Sequence, residues 1–323
     1  MSRLLYTDTS LRCAGRIPSY ELDLAYGRDE NDFELTCSLD VEMERGCCVW
    51  LPGTSIGGMV RGVSVKREGG VSWWVYSGPT WTGLLAERVI RPSPGADYYT
   101  VTGDLNTCIG ALIARLGLGS IFAPSPSPAG ATVTNYAFDR YCDGYSGMAK
   151  LLRSKGFRLK AERQGQGKTA LSAVPALTFS DRGKWGFSVE RTQPPNHLIC
   201  LGAGELKDRI VIDLYADAQG NVSQTQTIFG LDEICEVYDT TQGRADLLED
   251  GTKRLKELQE PLSMEVELPD GGEWDVGDSV SVADAKTGVT ATAEIVKAVV
   301  SAGAFWPEPT VIYQCGEPSL KEA

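Results

Sequence analysis

The chain has 323 residues, enough for two or three domains with real cores. Its 42% hydrophobic and 23% charged content marks a globular protein and excludes a disordered one. A net charge of −12 argues against a nucleic-acid grip that works by neutralising phosphates, and a surface past which nucleic acid slides would want this sign. The longest apolar runs fall short of the roughly 20 residues that cross a bilayer. The start, Met1-Ser2-Arg3-Leu4-Leu5-Tyr6-Thr7-Asp8, has no long apolar core before its first acid, so no signal peptide is expected.

In chain order, Glu21–Tyr26 and Phe33–Asp40 alternate around the turn Arg28–Asp32, which predicts an antiparallel hairpin with Phe33, Leu35, Cys37 and Leu39 facing inward. Strands are predicted at Cys48–Leu51, Gly58–Lys66 and Val71–Ser77, so the first hundred residues read as a β-domain, a barrel or a sharply curled sheet. Arg91-Pro92-Ser93-Pro94-Gly95 ends it. Leu105, Ile109, Leu112, Ile113 and Leu116 are spaced as one helix face, with Asp104 as cap and Gly117 as stop. Ala123–Gly130 is an extended proline-rich connector. A second helix is predicted from Asp143 to Lys155, stopped by Gly156. Strands follow at Phe157–Ala161, with Thr169–Val174 and Leu177–Phe179 as partners, completing a small α+β module.

Further on, Trp185–Val189, His197–Leu201 and Val211–Tyr215 read as strands, and Asp217–Asn221 as a hairpin turn. A helix is predicted from Gly243 to Gln259 with Leu247, Gly251, Leu255 and Leu258 on one face. The stretch from Leu262 to Cys315 holds four short strands joined by glycine turns, among them Trp274–Val282, entered through a Gly277-Asp278 corner. It predicts a small closed or nearly closed barrel.

Motifs for chemistry are few. Gly165-Gln166-Gly167-Lys168-Thr169 resembles a phosphate loop, but Glu162 occupies the place of its first glycine, so a hairpin tip is expected. Gly202-Ala203-Gly204-Glu205-Leu206-Lys207 has Lys207 where a dinucleotide fingerprint needs glycine, so a loop between strands is expected. His197 is the only histidine and is read as a structural imidazole in an edge strand. Asp270, Glu273, Asp275, Asp278 and Asp284 cluster without the rhythm of a calcium loop. Carboxylate pairs for glycoside hydrolysis are assembled only by a fold, and no stretch nominates one. Trp73, Trp74, Tyr76 and Trp81 are read as core plus an interface-facing row rather than a sugar platform. Nine cysteines without a Cys-x-x-Cys predict reduced, mostly buried thiols and synthesis in a reducing cytoplasm. No catalytic, cofactor-binding or metal-binding residue is nominated, and no cofactor is expected.

Four segments together carry a resemblance: Asn31–Leu39, Trp81–Pro92, Asn196–Gly202 and Trp274–Val280. They are spread over nearly the whole length, and the chain resembles the hub proteins of bacteriophage tail tips, related to the N-terminal hub region of tail-associated lysins. The resemblance implies an α+β, β-rich fold. It implies a first tube-type β-barrel domain over 1–103, completed by strands near 184–201. An α+β insert follows over 104–183, and a second tube-type barrel spans 202–323 with the helix 243–259. It implies a homotrimer forming a pseudo-sixfold ring, with the distal tail protein and tail tube above and tail fibre, spike or tip proteins below. DNA would pass without specific binding, and the chain would reside in the virion. Such a ring carries −36, three times −12 per chain, and acids facing a lumen would repel phosphates. The residues after Cys315 are too few for a wall-cleaving domain, so no enzymatic activity is expected. A tail-associated cell-wall-degrading enzyme and a receptor-binding tail protein are the alternative roles.

Overall fold

Tyr20–Gly27 and Asp32–Ser38 pair antiparallel, with Leu22 opposite Leu35 and Leu24 opposite Phe33. Their alternation buries Leu22, Leu24, Phe33, Leu35 and Cys37 on one face, as the sequence demands. Leu39 departs from that expectation and is 47% exposed. The strand stops at Ser38, whose hydroxyl donates to Asp40 at 2.9 Å in a turn that releases Leu39 from the pattern.

The structure, a computed structural model, describes residues 3–165, 167–180, 185–191, 193–259, 262–268, 274–283, 286, 290–306, 308–316 and 318–321. The fold is α+β and β-rich, with strands in several sheets and four helices among those residues. None of these helices is long and apolar enough to cross a membrane. The chain divides into two compact units, Met1–Phe187 with Val266–Ala323, and Ser188–Glu265. These boundaries are not those expected from the sequence. The reason lies in one long strand, Thr290–Gly303, which pairs with Tyr20–Gly27 so that Val300 meets Leu24 and Ala302 meets Leu22.

That strand belongs to a nine-stranded sheet of the first unit. Its order is Thr178–Ser180, Ser279–Ala283, Thr290–Gly303, Tyr20–Gly27, Asp32–Ser38, Val71–Pro79 and Gly62–Glu68, with Thr310–Cys315 and Ser319–Lys321 also paired to the long strand. The buried hydrophobic residues of the long strand are Ala291, Ala293 and Ile295, then Ala298, Val300 and Ala302. The period slips by one at the register irregularity between Ile295 and Lys297, a bulge. Gly27 lies opposite that slip with φ +139°, and a Cβ there would come within 2.2 Å of the Val296 carbonyl oxygen. Only glycine permits so close an approach.

No sheet closes on itself among the described residues. The strand Leu262–Glu267, expected to open a four-stranded barrel, pairs instead with Gly186–Arg191. The rest of the first unit is a four-stranded sheet, Cys13–Arg16, Leu5–Thr7, Cys48–Trp50 and Gly57–Met59, together with helices and smaller sheets. Helix α1, Trp81–Ala86, starts at a Thr80 cap that accepts from the Gly83 amide. Trp81 therefore opens a helix rather than continuing the aromatic strand row.

Helix α2, Leu105–Arg115, and α3, Gly144–Arg153, form where their periodicity and caps place them. Asp104 accepts from Asn106 N and Asp143 from Ser146 N, each cap worth about 1 kcal/mol. Gly117 and Gly156 end them with φ +70° and +72°. The α+β insert is not a body of its own. Ile109, Leu112, Met148 and Leu151 share one core with Trp50, Met59 and Trp81. Thr169–Pro175 pairs with Phe157–Glu162 antiparallel and Phe122–Pro124 parallel, whereas Thr178–Ser180 crosses into the nine-stranded sheet.

The second unit is a four-stranded sheet, Val222–Ser223, Val211–Ala216, His197–Leu201 and Cys235–Asp239. Helix α4, Arg244–Leu258, buries Leu247 and Leu255 with Leu198, Cys200, Ile212 and Leu214. His197 thus lies in a central strand, not the edge strand expected, because Cys235–Asp239 adds in parallel on its far side.

Candidate functional site

The nine-stranded sheet has a dry face and a wet face, and the wet one carries the feature that folding alone does not explain. Glu21 and Asp23 alternate with buried Leu22 and Leu24, while Asp32 and Glu34 alternate with buried Phe33 and Leu35. The hairpin register sets Asp23 directly opposite Glu34. All four acids are exposed, and none has a cationic partner among the described residues. Their one side-chain hydrogen bond among the described residues is a hydroxyl donation from Ser301 to Asp23, at 2.9 Å. Like charges facing each other across a ladder cost on the order of 0.2–1 kcal/mol, so this row is a burden to stability. Asp23, Asp32 and Glu34 line one shallow groove with Ser77 and Val299. Alternation on both sides of a turn at Arg28–Asp32 was the signal for these acids in the sequence. Their shared face follows once the hairpin register is known.

The rims of this sheet are open. Gly62–Glu68 pairs only with Val71–Pro79, and Thr310–Cys315 only with Thr290–Gly303, among the described residues. Each rim shows an exposed β-branched side chain, Val65 at 56% and Ile312 at 63%. Open edges with apolar side chains are templates for another strand.

The acidic cluster read near the barrel turns resolves into a structural clamp. Asp270, Glu273 and Asp284 lie outside the described residues. Asp275 accepts four bonds: from Tyr26 Oη at 2.8 Å, its neighbour Val276 N at 2.8 Å, Ser55 Oγ at 3.0 Å and Arg158 Nη1 at 3.4 Å. Asp278 is fully buried and accepts from Arg158 Nε, Leu177 N and Asp275 N, each at 2.9 Å. Gly277 between them has φ +96°, and a Cβ there would press within 2.6 Å of Arg158 Cβ. Both carboxylates are engaged on both oxygens, so neither is a free base. Arg158 joins this pair from a strand more than a hundred positions away, which no local pattern signals.

The remaining sequence candidates are placed as follows. Gly165, Gly167 and Lys168 lie in the connection between Phe157–Glu162 and Thr169–Pro175, an antiparallel pair, which is the expected hairpin tip. Gly202–Lys207 joins the antiparallel strands His197–Leu201 and Val211–Ala216. The His197 ring sits between Glu233, 2.6 Å from Nδ1, and Asp213, 2.9 Å from Nε2, and stacks on Tyr215 at 4.4 Å. These contacts tie His197–Leu201 to Val211–Ala216 and to the segment just before Cys235–Asp239, and they present no nucleophile. Tyr76 is buried and its hydroxyl donates to Val41 O at 3.0 Å, whereas Trp73 and Trp74 are half-buried. None of the nine cysteines is in a disulfide bond, and burial pushes Cys37 and Cys48 up to about 11. Among the described residues no group of three or more His, Cys, Asp or Glu side chains has the arrangement of a metal site.

No family model matches the chain, and no curated protein matches it. Solved structures do. A tail protein from Neisseria meningitidis MC58 is similar over 98% of this chain and 96% of its own, at 15% identity and a TM-score of 0.46. A 43 kDa tail protein of prophage MuSo2 from Shewanella oneidensis covers 98% of each chain, at 12% identity and a TM-score of 0.46. A prophage tail protein from Listeria monocytogenes EGD-e is similar over 98% of this chain and 94% of its own, at 13% identity and a TM-score of 0.47. The likeness is one of chain fold.

Proposed function

We propose that this chain is a structural hub of a phage or phage-like tail tip. Three copies form a pseudo-sixfold ring that joins the hexameric tail tube and distal tail protein to the threefold tip. The unpaired acidic row Glu21, Asp23, Asp32 and Glu34 is the observation that carries the reading. On a rigid sheet, a row of carboxylates that weakens its own hairpin makes sense where phosphates must pass without sticking. We assign that face to the lumen. The two wall segments per subunit are the two halves of the nine-stranded sheet, which meet in Thr290–Gly303, and its open rims supply strand pairing between copies.

In this reading the chain turns over no substrate, in keeping with the saturated state of Asp275 and Asp278. Size-exclusion chromatography with light scattering tests it. A trimer of 34.9 kDa chains, about 105 kDa, is expected, or a larger ring. A strict monomer at high concentration and within particles would count against it. The double change Asp23→Lys and Glu34→Lys should leave the ring intact and lower DNA delivery by assembled particles. Clearing of bacterial walls by the purified chain, lost with one acid, would favour the enzymatic alternative instead.

A further inference from the structure

The first unit holds a cleft of about 610 Å³ that the hub role does not use. That is within the range of pockets for small ligands and peptide side chains, about 300–1,000 Å³. Its floor is apolar, built by Phe157, Leu159, Ala176 and Val296. Two polar groups in it have nothing to bind. Tyr145 is 9% exposed and lines this cleft, and its hydroxyl has no hydrogen-bond partner among the described residues. Burial, and next the nearby Asp275, push its phenol above the usual value, so it remains a donor. Arg28 lines the same cleft with no anionic partner among the described residues.

The other charges there are already matched. Arg158 is held by Asp275 and Asp278, Arg153 by Glu294, and Lys150 by Asp139. One unmatched guanidinium, one unpartnered hydroxyl open to the cleft and an apolar floor define a complementary shape. From this we infer that the cleft binds a carboxylate attached to an apolar group, the carboxylate on Arg28 and Tyr145 and the apolar part on Phe157 and Leu159. A free organic acid and the C-terminal residue of a partner chain share that chemistry.

Saturation-transfer NMR on the full chain with N-acetyl-phenylalanine and its amide tests the inference without any substitution. The acid should bind at least about tenfold tighter than the amide, the share of one charge-assisted hydrogen bond. Arg28→Gln, at an exposed position, should abolish the difference between acid and amide, and Tyr145→Phe should weaken the acid about threefold. The tetrapeptide Gly-Ser-Gly-Phe separates the sources: binding tenfold tighter than N-acetyl-phenylalanine assigns a chain terminus, and equal binding assigns a small acid. No transfer to either probe, equal affinity for acid and amide, or discrimination that survives Arg28→Gln would overturn the proposal.

Discussion

Replacing Asp278 with alanine removes a buried carboxylate from three donors at once. Two are backbone amides, of Leu177 and Asp275, and the third is Arg158 Nε, all at 2.9 Å. Amide bonds are worth roughly 1 kcal/mol each and a charged one roughly 1.5–3 kcal/mol, so the loss is about 3–5 kcal/mol. Arg158, whose side chain is only 11% exposed, would keep only its longer 3.4 Å contact with Asp275. Urea unfolding read by tryptophan fluorescence suits the measurement. Trp274 lies next to this corner in sequence and packs against Phe179 at 5.5 Å and Trp185 at 5.6 Å. Adding Arg158→Met to the alanine variant should cost less than the same change in the unaltered chain, since the bond to Asp278 is already gone and only the contact with Asp275 remains to lose. A fall below about 1 kcal/mol for Asp278→Ala, or no coupling to Arg158, would refute the clamp.

Gly251→Ala in α4 sets two effects against each other. Helix propensity favours alanine by roughly 1 kcal/mol, but its Cβ would meet Cys200 Sγ at 2.5 Å and Leu214 Cδ1 at 3.0 Å, and overpacking costs about 1–3 kcal/mol. Net destabilisation is expected, read as faster amide exchange in Leu198–Leu201; a more protected strand would contradict this packing. Alkali should also weaken the fold. Burial raises Cys37 and Cys48 from 9.0 to about 11, so above about pH 9 the unfolded chain releases protons that the folded one keeps. Their contribution is complete below about pH 9 and gone above about pH 11. The urea midpoint should drop across that window, and less steeply in Cys37→Ala with Cys48→Ala; equal slopes would exclude the thiols as the cause.

Local features were legible in the sequence wherever a few neighbouring residues decide the outcome. Asp104 and Asp143 as caps, Gly117 and Gly156 as stops, and the hairpin before Ser38 all follow from short-range sterics and hydrogen bonding. Pairings between distant segments were not legible. Nothing near Val300 says that it will sit beside Leu24, and the domain boundaries shift for that reason. The acidic row was half legible: alternation gives its face, but only register puts Asp23 against Glu34. The clamp on Asp275 and Asp278 and the cleft with Tyr145 depend on Arg158, α3 and the nine-stranded sheet meeting, and no local pattern encodes that.

The strand Thr290–Gly303 also has a consequence for biosynthesis. It is the partner that seals Tyr20–Gly27, yet the ribosome makes it some 270 residues later, as the pairing of Val300 with Leu24 shows. At roughly 5–20 residues per second, the early hairpin waits some tens of seconds with one side bare. Contacts of such separation slow folding, and bare edges invite nascent chains to stick to each other. A chaperone, or cool and slow expression, would shield that flank until the last strands emerge.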